Sequence, residues 1–395
     1  MARRGIPRVP LDRRAQRWAV TALFAVNGAT FASWLPRLPD VRDRLGLELH
    51  ELGLVLLGTG LGGLLASAAG GALVDRLGSR RASIAGAVAL SLGLPLVATA
   101  GAPVALFGVL LGLGAVDVLT DIGMNVQGAQ VQRRASGSVV QRFHGAWSVG
   151  SLGGAGVAAI AASAGVSLGW QLVATSAALL ATVAVLAPHL SAVDDEPAPH
   201  PEGARRRPLL VLLAVLALSI AVVEGAPGEW AAVFAADVHG ASAAVASVAF
   251  LAFSAGMVVG RFTGDAATDR LGAAAVFRWA LGLAGAGLAV VASSPGAGVA
   301  IAGYAVVGLG VSVLFPALYL QAADTDGIPA GLGLGVMSTG ARLGFLVSPL
   351  AVGGLASSTS LRLALAVAVG VAAVAALALE GVLRRAGRPR EPAQR

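Results

Sequence analysis

Apolar residues in this chain run in long stretches, without the alternation of a half-buried strand. A helix needs about 20 mostly apolar residues to cross a bilayer. Such runs predict helices near 17–36, 52–74, 82–100, 104–127, 143–164 and 168–187. A second set is predicted near 209–234, 243–262, 274–292, 297–320, 333–355 and 361–383. Between the sets lies 188–208, rich in proline and charge, with Asp194, Asp195, Glu196 and Arg205 to Arg207. The pattern predicts an all-α membrane protein with twelve transmembrane helices in two six-helix bundles. The first bundle takes 1–187 with its tail, 188–208 is a linker, and the second bundle takes 209–395 with its tail.

Composition supports lipid as the solvent. Hydrophobic residues make up 56% of the 395 and charged residues only 12%, against about 25% charged in soluble domains. Too little charge is present to cover a water-exposed surface, whereas a lipid-exposed one needs none. All 28 basic residues are Arg and none is Lys, a bias expected of a GC-rich bacterial genome. They fall in short blocks between apolar runs, as in membrane loops, so the net charge of +7 is not read as a nucleic-acid footprint. With no Cys and five scattered His, disulfides and thiolate metal sites are excluded and no metal-ligand spacing stands out. No cofactor is expected.

Sidedness follows from the arginines. Arg3, Arg4, Arg8, Arg13, Arg14, Arg17, Arg76, Arg80, Arg81, Arg133, Arg134, Arg142, Arg384, Arg385, Arg388 and Arg390 share one side if twelve helices are present. The opposite side holds chiefly Arg37, Arg42, Arg44 and Arg362. Positive-inside bias places both termini in the cytoplasm, in a bacterial inner membrane. Met1 to Arg17 then reads as a cytoplasmic tail, since the run from Trp18 is too long for a signal-peptide core.

The halves repeat. Asp75-Arg76-Leu77-Gly78 recurs as Asp269-Arg270-Leu271-Gly272 at an offset of 194. Asn27-Gly28 is matched to Glu224-Gly225, Trp34 to Trp230, Gly112-Leu113-Gly114 to Gly308-Leu309-Gly310, and Gly145-Ala146 to Gly340-Ala341. Parallel six-helix repeats joined by a linker describe a known transporter architecture.

The loop Gly71-Ala-Leu-Val-Asp75-Arg76-Leu-Gly78-Ser79-Arg80-Arg81 resembles the signature G-x-x-x-D-R-x-G-R-R/K of the major facilitator superfamily. Ser79 departs from it, standing where a basic residue is usual. The resemblance implies a gating loop: Gly71 for close helix packing, Asp75 at a helix N-terminus of the other half, Arg76 and Arg80 in ion pairs, with Asp269 and Arg270 as a degenerate second copy. Asp121-Ile-Gly-Met-Asn125-Val-Gln-Gly128, Phe143-His144-Gly145-Ala-Trp-Ser148-Val-Gly150 and Glu224-Gly225 resemble a bacterial branch near fucose-permease-like carriers, which implies a sugar or related metabolite and proton coupling. Two signatures are missing: the helix-four Arg of many proton-coupled members, and the helix-five Gly-Pro step of drug/proton antiporters, where Gly150-Ser-Leu-Gly153-Gly154 stands instead.

Charge inside a membrane costs about 2.5–3.5 kcal/mol per residue on insertion scales and so needs a reason. Asp117 and Asp121, four apart, share a face of helix four with Asn125. In the family, helices one, four, seven and ten line the cavity, so this stripe is expected to bind substrate or a proton. The alternative is pairing with loop arginines. Asn27 and Glu224 are expected to face each other across the cavity, with helix–helix hydrogen bonding the alternative for Asn27. Glu229 is placed nearer the outer surface. Arg342 in helix eleven is expected in a gating ion pair with Asp121, Asp75 or Glu224, the alternative being an anionic substrate. Pro316 is expected to kink helix ten, where Tyr319 and Gln321 are inner-cavity contacts.

The expectation is a monomeric secondary transporter, without catalytic residues, that moves a small polar solute with protons as a symporter. A proton-coupled exporter of amphiphilic or cationic compounds is the first alternative; it suits an acidic cavity but conflicts with sparse aromatics on the cavity helices. A non-transporting membrane sensor is the second, and the loops are too short for a signalling domain.

Overall fold

The computed structural model describes residues 13–134, 140–191, 207–323 and 330–386. The linker, both tails and the segments between lie outside them, as do some helix side chains, among them those at 319–323 and 330–335. The first half comprises α1 (Arg13–Ala32), α2 (Leu38–Leu45), α3 (Leu49–Leu77), α4 (Ser79–Thr99), α5 (Pro103–Arg133), α6 (Val140–Ser163) and α7 (Leu168–Leu186). The second comprises α8 (Arg207–His239), α9 (Ala243–Leu271), α10 (Ala273–Ser293), α11 (Ala297–Val311), α12 (Leu314–Ala323), α13 (Ala330–Ser358) and α14 (Leu361–Ala386).

Twelve helical stretches among the described residues are long and apolar enough to cross a membrane. α1 and the short amphipathic α2 share the first, and α11 and α12 share the tenth. The kink expected at Pro316 is a break at Ser312–Val313. Pro316 falls in the first turn of α12, where its missing N–H would have had no partner anyway. An even number of crossings returns both chain ends to one end of the bundle, called here the terminal end; the other is the far end. Trp18, Trp170 and Trp279 are each more than 70% exposed on the helix surfaces, in keeping with aromatic belts at a lipid interface.

The two sets of six pack alike. α1 lies on α6, α3 on α5 and α4 on α5, and the same pairs recur as α8 on α13, α9 on α11 and α10 on α11. Glycine contacts fix the repeat's register. A Cβ on Gly62 would lie 1.9 Å from the Leu111 carbonyl oxygen, and one on Gly256 2.1 Å from that of Ala305. Gly114 stands likewise 1.9 Å from the Thr59 oxygen, and Gly308 2.0 Å from that of Phe253. All these partners are 194 residues apart. Gly114 therefore corresponds to Gly308, two residues from the pairing the sequence suggested. Either choice matches glycine to glycine, which is why the sequence was ambiguous. In both copies of the Asp-Arg-Leu-Gly repeat the glycine ends its helix at positive φ, +81° for Gly78 and +77° for Gly272, a conformation disfavoured for other residues.

The halves meet along α3–α13 and α6–α9. At the far end they are closed. Arg42 of α2 pairs with Asp237 of α8, and Ser247 Oγ donates to the Pro36 carbonyl at 3.0 Å. Gly53 and Gly353 let backbones touch, a Cβ there lying 2.5 Å from the Pro349 oxygen and 2.7 Å from the Leu49 oxygen. The four far-end arginines are all engaged. Arg37 binds Asp40, the Val166 carbonyl and Gln171; Arg44 caps the Val97 and Ala98 carbonyls; Arg362 caps those of Ala292 and Ser294. Cations at helix C-termini offset the macrodipole.

Candidate functional site: a central cavity between the bundles

A cavity of about 380 Å³ lies between the halves, within the range of small-molecule sites. Carboxylates enter from both sides: Asp117 from α5, Glu224 and Glu229 from α8. Six aromatic residues complete the wall: Phe31 and Trp34, Trp147 on α6, Phe250 and Phe253 on α9, and Phe345 on α13. Aromatics are sparse on the cavity helices, as expected, with only Phe31 and Trp34 on crossing one among the lining residues; the other four come from crossings five, eight and eleven, which were not expected to line the cavity. Trp34 is 1% exposed and its Nε1 has no hydrogen-bond partner among the described residues.

Asn27 is not the mate of Glu224 across the cavity. It is buried, donating from Nδ2 to Asp117 Oδ1 at 2.8 Å and accepting from Trp147 Nε1 at 2.8 Å. Its work is to orient Asp117. The register explains the miss. Gly150 abuts the Ala25 carbonyl as Gly344 abuts that of Leu218, so Glu224 stands about one helical turn beyond the place of Asn27. That turn places it in the cavity wall, which Phe31 also lines.

Arg261 of α9 is the residue the sequence reading passed over. Its Nη2 lies 3.8 Å from Glu224 Oε1, its Nη1 donates to Ser148 Oγ, and its guanidinium sits 5.3 Å from the centroid of the Trp147 ring. A chain of contacts thus runs from Asp117 through Asn27, Trp147 and Arg261 to Glu224, crossing from one bundle to the other. Its signal was available: an arginine ten residues inside a helix that continues to Leu271. It was overlooked because the helix predicted over 243–262 ends one residue beyond it.

Glu229 also faces the cavity instead of the outer surface, accepting from Ser348 Oγ at 3.2 Å. Arg342 lines the same cavity and reaches Asp121, Nη2 to Oδ2 4.0 Å, one of the partners expected for it. Asp121 does not line the central cavity. With Asn125, which donates to its Oδ1 at 2.9 Å, it lines a second cleft of about 530 Å³ with Ser67 and Arg342. The two inter-bundle contacts are related by the repeat. Ser148 and Arg342 are 194 apart, as are Ser67 and Arg261, so the Arg261–Ser148 bond and the Arg342 and Ser67 that line the second cleft occupy repeat-related positions.

The loop residues lie elsewhere. Gly71, Asp75, Arg76, Asp269 and Arg270 are exposed near the ends of α3 and α9, and a Cβ on Gly71 would meet nothing within 4 Å. Gly71 is therefore not a close-packing point in this conformation. Arg80 donates to the Ala187 carbonyl at 3.2 and 3.0 Å, capping the end of α7 within its own bundle. Tyr319 and Gln321 fall on α12, but their side chains lie outside the described residues.

Twelve crossings in two matched bundles around a central, carboxylate-bearing cavity define a membrane transporter. The chain belongs to the Major Facilitator Superfamily, whose family model matches residues 18–328 and again 230–395. It is 30% identical over 358 residues to an uncharacterised MFS-type transporter of Yersinia pestis, covering 89% of this chain and 91% of that protein. It is 29% identical over 350 residues to the membrane protein MosC of Rhizobium meliloti, covering 87% and 84%. Crystal structures of the nucleoside transporter NupG share the fold, with TM-scores of 0.71 and 0.70 at 13% and 16% identity, covering 93% of this chain and 99% of theirs. Relatives and fold alike are those of transporters, not enzymes.

Proposed function

We propose that the protein is a proton-coupled secondary transporter that carries a small polar solute across the bacterial inner membrane by alternating access, acting as a monomer with both termini in the cytoplasm. The observation that carries this reading is a cavity at the bundle interface, closed at the far end, with carboxylates from both halves on its wall. Such groups accept hydrogen bonds from a hydroxylated solute and can each hold a proton in an apolar setting. The resemblance to fucose-permease-like carriers supports a sugar or related metabolite, taken up by symport. Asp117 and Glu224 are the proposed proton and substrate groups, with Asp121 and Asn125 on the route to the terminal end. Asp75, Arg76, Asp269 and Arg270 are the proposed gating elements of that end, and Arg342 with Asp121 an inner ion pair.

The test is uptake by proteoliposomes under an imposed pH gradient, screened over sugars and related polyols. Flux that follows the gradient is expected. Asp117→Asn preserves the acceptor for Asn27 but cannot carry a proton, so its flux should no longer vary with pH. Unaltered proton coupling in that variant rejects Asp117 as the proton group.

A further inference from the structure

The far end of the cavity is roofed by a segment that one half has and the other lacks. After Ala32 the chain leaves α1, makes a tight turn at Leu35–Arg37 and forms α2 before α3 begins at Leu49. In the second half α8 runs on to His239, and residues 240–242 alone lead to α9. Trp34 and Leu35 line the central cavity. The segment lies over both bundles: the turn touches α6, α8 and α9, and α2 touches α8 and α9. Its polar bonds to the two bundles differ in kind. Toward its own bundle, Arg37 is 6% exposed and donates to the Val166 carbonyl at 3.2 Å and to Gln171 Oε1 at 3.3 Å. Gln171 Nε2 in turn donates to the Ser33 carbonyl at 2.6 Å, and Arg44 caps the Val97 and Ala98 carbonyls. Pulling the segment off would strand a buried guanidinium and a buried amide. Toward the second bundle, the polar contacts among the described residues are Arg42 with Asp237 and Ser247 Oγ with the Pro36 carbonyl. Each of those donors keeps a second partner on its own side. Arg42 has Asp43 at 3.3 Å, and Ser247 has the Ala243 carbonyl at 2.8 Å. Both can let go without being left unmet. Trp34 is buried with its Nε1–H unmet among the described residues, a penalty of the closed state that water relieves on opening.

We infer that this segment, 33–48, is a one-sided lid that stays with the first bundle and parts from the second when the far end opens. The inference rests on the alternating-access reading and adds which surfaces separate. Access at the far end then does not follow the central axis. It runs over the α8–α9 edge, past Asp237 and Ser247, while the edge where Arg37 and Arg44 are fastened stays covered. A solute passing there meets Arg42 and Asp237 after their pair has opened.

Distances between spin labels test this directly, because the chain has no cysteine of its own. Three exposed positions serve: Asp43→Cys on the lid, Val104→Cys at the start of α5 and Ala243→Cys at the start of α9. They are labelled two at a time in the purified full chain in nanodiscs and measured by double electron–electron resonance, with size-exclusion profiles reporting folding. The combined variant Asp237→Asn and Ser247→Ala releases the lid from the second bundle. It should raise severalfold the population in which Val104–Ala243 is long. Asp43–Ala243 should lengthen in that same population, and Asp43–Val104 should keep one narrow distribution throughout. If Asp43–Val104 lengthens while Asp43–Ala243 stays fixed, the lid travels with the second bundle and the inference falls. If both lid distances lengthen, the lid moves apart from either bundle and the inference falls as well. In both cases a widened Val104–Ala243 distance leaves alternating access standing. A Val104–Ala243 distance that never widens, in the parent or the released variant, removes the alternating-access reading together with the lid.

Discussion

The guanidinium of Arg261 lies 5.3 Å from the ring centroid of Trp147, and the two residues belong to opposite bundles. The stack joins α9 to α6 at the depth where Asp117, Asn27 and Glu224 converge. Breaking one side of a buried ion pair costs about 3–5 kcal/mol in soluble proteins. Arg261→Met should therefore lower solute flux more than about tenfold at equal membrane abundance. Arg261→Lys should fall between, since an ammonium lacks the planar fork that stacks and bonds at once. Equal flux in all three proteins would remove Arg261 from the transport cycle.

The pair Arg42–Asp237 clasps the far end. Both side chains are about one-fifth exposed, so the pair is worth at least the roughly 0.2–1 kcal/mol of a fully exposed one. Asp237→Asn should raise far-end opening severalfold or more. The chain has no cysteine of its own, so Ser254→Cys supplies a single reporter in the cavity wall. Its labelling by an impermeant maleimide from the far side should quicken in the Asp237→Asn background. High salt should mimic the variant in the parent by screening the pair. Labelling that ignores both changes would mean the clasp does not hold that end.

Two glycines two residues apart should behave differently. Gly114 abuts the Thr59 carbonyl, while nothing lies within 4 Å of a Cβ on Gly112. Gly114→Ala should cost about 1–3 kcal/mol as an overpacked contact. Gly112→Ala should be neutral or slightly stabilising, because alanine favours helix. Thermal unfolding in detergent separates them, and equal melting temperatures would contradict the packing.

Arg80 is read as a helix cap. Arg80→Gln should remove roughly 0.3–1 kcal/mol of stability and leave flux within about twofold. A complete loss of transport with intact folding would return Arg80 to the gating loop.

Much of this was legible in the sequence because lipid imposes a simple rule. Runs of apolar residues near twenty must be helices, and the crossings found match those expected in number and order. Asp117 and Arg342 could be singled out because a charge inside such a run is conspicuous. Arg261 was not, since it stands one residue from the end of the predicted run, 243–262, although the helix continues to Leu271. Glu229 was set too far out because α8 extends to His239, beyond its most apolar stretch. The aromatics escaped notice for another reason. They sit on crossings five, eight and eleven as well as the first, and side-chain direction there depends on how the bundles are rotated, which no local pattern reports. Asn27 was mispaired because a match of Asn-Gly to Glu-Gly outweighed the packing register.

At mid-depth both bridging arginines, Arg261 and Arg342, come from the second bundle and reach groups of the first. At the far end the donor Arg42 comes from the first and reaches the second. Such a lock has polarity: neither bundle could satisfy a copy of itself, because like would then face like at every bridge. The two units, descended by the look of their repeat from one ancestor, have become obligate complements. Made as separate polypeptides, they should assemble as mixed pairs and leave the matched pairs unformed.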